Sequence, residues 1–84
     1  MLTKKDAILI AETFAKAAKH DIEASRQRGN QDEIHGIRGA LFRGLDDFWY
    51  DLLPMKVREQ FDVVSNMHTG RYNFVEYASV ILDN

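Results

Sequence analysis

Eighty-four residues with 11 Lys/Arg, 13 Asp/Glu and a net charge of −2, 45% of them hydrophobic and 29% charged, describe one globular domain with a thin core rather than a disordered tail. The absence of cysteine excludes a disulfide framework, a thiolate zinc site, an iron–sulfur cluster and a cysteine nucleophile, and it points to the cytoplasm. The longest apolar run, Ala7 to Ala11, is too short to span a membrane, and the N-terminus, with Lys4, Lys5 and Asp6, lacks the long apolar stretch of a secretion signal.

Thr3-Lys4-Lys5-Asp6 reads as a capping box, in which the threonine hydroxyl accepts from the third helical amide and the acid reaches back. The helix it opens is predicted to run from Lys4 to about Arg28 and to stop at Gly29, which can take the left-handed cap conformation. Ala7, Ala11, Phe14, Ala18 and Ile22 recur at spacings of three and four and form one apolar stripe. Ile8, Leu9 and Ile10 widen it. Leu9 falls almost opposite Phe14, so the first two turns are apolar nearly all round and are expected to make contacts on more than one side.

Asn30-Gln31-Asp32-Glu33 is a second box. It opens a helix with Ile34, Ile37, Leu41, Leu45, Phe48 and Leu52 on one face, ending before Pro54, whose ring disfavours the helical state for Leu53. Gly36, Gly39 and Gly44 lie inside it. Each costs ~1 kcal/mol relative to alanine, so a break near Gly44 with Asp46 or Asp47 recapping competes with one continuous helix. Pro54 suits the first turn of a third helix with Val57, Phe61 and Val64 on its apolar side. His68-Thr69-Gly70-Arg71 reads as the next loop. Asn73-Phe74-Val75-Glu76 reads as a third box, with Tyr72 and Tyr77 as a hydrophobic staple and Phe74, Ala78 and Ile81 on the last apolar face. No stretch alternates as a strand would. The expected fold is one all-α domain over residues 1–84, a small bundle of four or five helices.

Catalytic and metal chemistry find no support in the motifs. Ser25, Ser65 and Ser79 sit in no nucleophile-elbow pattern, and there is no glycine-rich phosphate loop. His20, His35 and His68 are far apart, without a His-Glu-x-x-His or Glu-x-x-His pair. Exposed histidines on helix surfaces and a loop are the simpler reading. No enzyme, metal or cofactor is therefore expected.

Charge and aromatic placement say more. Residues 1–43 hold 8 Lys/Arg and 6 Asp/Glu, and residues 44–84 hold 3 and 7, so a slightly basic half precedes an acidic one. Lys16, Lys19, Arg26 and Arg28 are interleaved with Glu12, Asp21 and Glu23, which makes a solvated mixed-charge face rather than a phosphate strip. The balance argues against direct nucleic-acid binding. Asp46-Asp47-Phe48-Trp49-Tyr50-Asp51 is the sharpest candidate site: Asp46, Asp47, Trp49, Tyr50 and Asp51 could present aromatics to a protein partner, with the carboxylates steering a basic one such as a nucleic-acid-binding protein. The competing reading is that Trp49 and Tyr50 finish the core while the aspartates form a solvated edge. A second candidate is self-association through Leu9 and the small-residue stripe Gly36, Ala40, Gly44, whose spacing of four admits a close backbone neighbour. The competing reading there is a flexible or broken helix.

Thr3-Lys4-Lys5-Asp6, followed by Ile8 to Glu12, resembles the opening of small phage and prophage proteins that begin Thr-Lys/Arg-Lys-Asp, then an aromatic, then an Ile-Ala pair. Ala7 stands in the aromatic's place. Arg71-Tyr72-Asn73 with Tyr77-Ala78 resembles their ending, while the middle, with Trp49 and Pro54, departs from the pattern. The resemblance implies a small helical protein of the host-cell cytoplasm that binds and blocks host nucleic-acid machinery, CRISPR complexes included. It implies no catalytic residue. Phe61 to Tyr77 is more weakly similar to a degenerate EF-hand, with Gly70 as the central glycine, Tyr72 at the apolar position and Glu76 as the final acid. Ser65, Met67 and Thr69 occupy ligand positions there, so the loop would be dead to calcium and would belong to a peptide-binding lobe.

Overall fold

The computed structural model of the chain describes residues 1–63 and 66–84. All regular structure among them is helical: α1 (Lys4–Gln27), α2 (Gln31–Asp47), a π turn (Phe48–Leu52), α3 (Met55–Glu59) and α4 (Met67–Asp83). This is the small all-α bundle expected from the sequence. Arg38 meets Asp83 at 3.6 Å and Asp46 meets Arg71 at 2.7 Å, so α4 runs antiparallel to α2. The Ser25–Glu33 hydrogen bond of 2.6 Å sets the start of α2 beside the end of α1, which leaves α1 and α4 parallel.

The ends of α1 are fixed as their residues dictate. Asp6 N–H donates to Thr3 Oγ1 at 3.1 Å, and Thr3 N–H donates to Asp6 Oδ2 at 3.0 Å. The backbone donor from Thr3 is the main reason that the Asp6 carboxyl lies below its ordinary pKa. At the other end Gly29 takes φ of 69°. Gly29 N–H bonds to Arg26 O and Asn30 N–H to Ser25 O, each at 3.0 Å. That pair of bonds is the Schellman motif.

The second box closes differently from the first. Glu33 N–H donates to Asn30 Oδ1 at 3.1 Å as expected, but the Glu33 carboxylate does not reach back to the Asn30 backbone. It accepts instead from Ser25 Oγ, from Arg28 Nη2 and from Asn30 Nδ2. Ser25 is fully buried, and this bond satisfies a hydroxyl that would otherwise cost about 1–3 kcal/mol. The bond from Ser25 comes first among the causes that hold the Glu33 carboxyl below its ordinary pKa.

The buried line of α1 is Ala7, Ala11, Ala15, Ala18 and Ile22. Phe14, expected on that stripe, is instead 50% exposed. The seam is built of alanines because two helices pack against α1 closely, and Ala15 meets that requirement where a benzyl group does not. Ile8 and Ile10 pack on the core from either flank while Leu9 stays outside.

Helix α2 passes through Gly44 without a break. The disturbance comes four residues later. Leu53 N–H donates to Phe48 O at 2.9 Å, an i→i+5 bond. The π turn advances the apolar register by one residue, so Leu53 enters the core and Leu52, expected there, is 68% exposed. The same turn carries Trp49 wholly inside. Its indole lies 5.8 Å from Phe61 and 5.4 Å from Phe74, centroid to centroid. Its Nε1–H points at Met67 Sδ, 3.3 Å away.

Pro54 N-caps the short α3, and Val57 and Phe61 are buried as expected; Val64 and Ser65 lie outside the described residues. The expected loop at His68–Arg71 is helical. Asn66, not Asn73, caps α4 by accepting from the amides of His68 and Thr69. The Asn73 box and the Tyr72/Tyr77 staple are therefore not formed. Asn73 sits inside the helix and donates from Nδ2 to Phe61 O at 2.6 Å, and Gly70, Tyr72 and Glu76 occupy helical positions rather than those of an EF-hand loop. Gly70 is present for a packing reason. A Cβ there would stand 3.2 Å from Trp49 Cη2 and 3.3 Å from Asp62 Cβ, and the bulk of the indole occupies that space.

Candidate interaction surfaces

The π turn splits the expected acidic–aromatic site in two. Phe48 and Trp49 face inward, so Trp49 is withdrawn from the surface to which its sequence neighbours belong. Tyr50 remains 46% exposed, and Asp47 and Asp51 are exposed beside it. Among the described residues neither aspartate forms an ion pair. Asp46 is half-buried and already engaged with Arg71. Burial works to lower the Arg71 pKa, but the Asp46 hydrogen bond and charge outweigh it, with Tyr50 and Tyr72 adding to the same effect, so the guanidinium is held above its ordinary value.

Arg71 also lies 4.6 Å from the centroid of the Tyr72 ring, a cation–π contact. Tyr72 is 63% exposed. The face thus consists of Tyr50 and Tyr72 around a fixed Asp46–Arg71 pair, edged by Asp47 and Asp51. Sequence reasoning missed Arg71 and Tyr72 because it placed them in a loop and a staple. A helical start at Asn66 would have set them on one face with the end of α2.

The small-residue stripe borders a second feature. Ala40 and Gly44, with Ile37 and Leu41, line an open groove of about 410 Å³ whose far side is Phe14, Ala18 and Asp21 of α1. Cβ atoms added at Gly36, Gly39 or Gly44 would meet nothing within 4 Å. Leu9 does not join this groove. It lies on the back of α1, away from the alanine seam, so the structure does not unite it with Gly36, Ala40 and Gly44.

A larger concavity than this groove was not foreseen. A trough of about 850 Å³ lies between α1 and α4, with residues 60–63 among its lining. Its walls come from helix flanks too far apart in sequence for a local motif to show.

Among the described residues no three His, Asp or Glu side chains gather into a group able to hold a metal ion, and no helix is long and apolar enough to cross a membrane. The chain matches no protein-family model, no curated protein and no solved structure.

Proposed function

We propose that this protein is a non-catalytic module that binds another protein through the Tyr50 face. One observation carries the reading: Tyr50 and Tyr72 both stand out from the surface around a pre-formed Asp46–Arg71 pair. Tyrosine supplies large contact area at low entropy cost, and tyrosine and arginine are both enriched in interface hot spots. Asp47 and Asp51 give the rim a negative charge, so the partner presents Lys or Arg there. The resemblance of both ends of the chain to small phage proteins makes a host nucleic-acid machine, such as a CRISPR complex, the partner class to test first.

The test is capture from a bacterial lysate by the immobilised wild type and by a folded Asp47→Lys/Tyr50→Ala/Asp51→Lys variant. A protein retained by the wild type and lost by the variant supports the assignment; equal retention by both removes this face from consideration.

A second reading, a homodimer, is favoured by the open space over Gly36 and Gly44 and by the groove that Ala40 and Gly44 share with the half-exposed Phe14. Light scattering at high micromolar concentration decides it, and a strict monomer defeats it.

A further inference from the structure

Met67 stands where two N–H donors converge on a poor acceptor. Trp49 Nε1–H points at its sulfur at 3.3 Å, and Arg58 Nη1 approaches the same sulfur at 3.8 Å. A thioether sulfur accepts only weakly. Trp49 is wholly buried, so its indole N–H has left water for a weak bond. The same guanidinium carries a further shortfall: among the described residues, the buried Arg58 Nε has no acceptor. Donors held in this way cost stability until a better acceptor is supplied.

The sulfur is also within reach of a small reagent. Met67 is half-buried and lines a cavity of about 140 Å³ together with Trp49, Met55, Arg58, Glu59 and Asp62. Met55 and Glu59 are exposed, so the cavity opens to solvent. One water needs roughly 10–15 Å³ of such space. Hydrogen peroxide therefore fits beside the sulfur, and one added oxygen fits after it. Glu59 and Asp62 offset the charge of Arg58, so the cavity suits an uncharged oxidant rather than an anion.

We propose that Met67 is a reversible oxidation site, a methionine whose sulfoxide this fold accepts better than the thioether. A sulfur lone pair attacks one oxygen of hydrogen peroxide, and the O–O bond breaks. Hydroxide leaves and takes the proton from the sulfur-bound oxygen, giving sulfoxide and water. Sulfur is oxidised by two electrons and the peroxide is reduced by two. The new oxygen is a strong acceptor on the atom at which Trp49 and Arg58 already point. Sulfoxide in a packed interior usually disrupts it by setting a polar group among apolar ones. Here it supplies what the two donors lack. Of the three methionines, Met67 alone receives N–H donors among the described residues.

Treating the full chain with hydrogen peroxide tests this. Tryptic cleavage after Lys4, Arg43, Lys56, Arg58 and Arg71 leaves Met1, Met55 and Met67 on different peptides, so mass spectrometry follows the added oxygen on each. Trp49 is the sole tryptophan, so its indole N–H gives one signal in a proton–nitrogen NMR spectrum. Met67 is expected to gain one oxygen, and the indole signal to move downfield. The melting temperature should rise by about 4 °C, the shift for one improved hydrogen bond in a domain of this size. Methionine sulfoxide reductases of both epimer specificities should reverse all three changes. Met67→Leu, treated alike, should show neither the indole shift nor the rise, although Met1 and Met55 still oxidise. Should Met67→Leu fail to fold, Met55→Leu, which keeps only Met67 and the exposed Met1, carries the comparison and should respond as the wild type does. Met67 left unoxidised when Met1 and Met55 are fully converted, an unmoved indole signal, a fall in melting temperature, a failure of the reductases, or the same response in Met67→Leu overturns the proposal.

Discussion

Replacing Trp49 by alanine perturbs the molecule most, and the structure sets the size of the effect. The indole is fully buried. It touches Phe61, Phe74 and Gly70 and directs its N–H at Met67. Truncating a buried aromatic to alanine costs about 3–5 kcal/mol, the transfer loss plus the cavity. An 84-residue domain has about 4–13 kcal/mol in all. Trp49→Ala is therefore expected to lose about a quarter or more of the total stability and to unfold partly at 37 °C. Urea titration followed by far-ultraviolet circular dichroism measures the loss. Because Trp49 is the sole tryptophan, the wild type adds a second reading: its fluorescence should be blue-shifted and shielded from iodide until the urea midpoint. A loss under about 1 kcal/mol, or free quenching in the native state, would place the indole at the surface and refute the packing described above.

Further outcomes follow from other contacts. Gly44→Ala, where a methyl meets open space, should stabilise the protein by about 0.5–1 kcal/mol, whereas Gly70→Leu, against the indole, should destabilise it by more than about 2 kcal/mol; thermal melts of both check the contrast. Glu33 has a folded pKa below its unfolded value, so its contribution is present above the unfolded pKa and lost as pH falls through the folded one. Acid titration should show wild-type stability dropping more steeply than that of Glu33→Gln across this range below the ordinary glutamate pKa. A double-mutant cycle of Asp46→Asn and Arg71→Gln should give a coupling of about 0.5–1 kcal/mol, the value for a partly exposed pair, and a null coupling would remove that pair as an anchor of the Tyr50 face.

Local chemistry made much of this readable from the sequence. The start of α1 at Thr3, its stop at Gly29 and the cap at Asn30 depend on side chains within a few residues of the backbone groups they satisfy. What was not readable depends on contacts across the chain. Gly70 looks like a loop residue until Trp49, twenty-one positions earlier, is seen to occupy the space its side chain would fill. That misreading moved the start of α4 and hid Arg71 and Tyr72 from the candidate surface. The π turn leaves no mark in spacing alone. It exchanges Leu52 for Leu53 and draws Trp49 inward, so only Asp47, Tyr50 and Asp51 of the proposed site remain on the surface with Asp46 at its edge. Phe14 was misplaced because periodicity reports which face is inside and not how closely the neighbouring helices approach.

The central claim is that binding runs through the Tyr50 face, and calorimetric titration of the captured partner tests it most directly. Titrated into the wild type and into the Asp47→Lys/Tyr50→Ala/Asp51→Lys variant, the partner should bind the variant at least about tenfold more weakly, with melting temperatures of the two proteins close together. The wild-type affinity should also fall as salt is raised, because Asp47 and Asp51 act through screened charge. Equal affinities for the two proteins, at any salt concentration, would contradict the account.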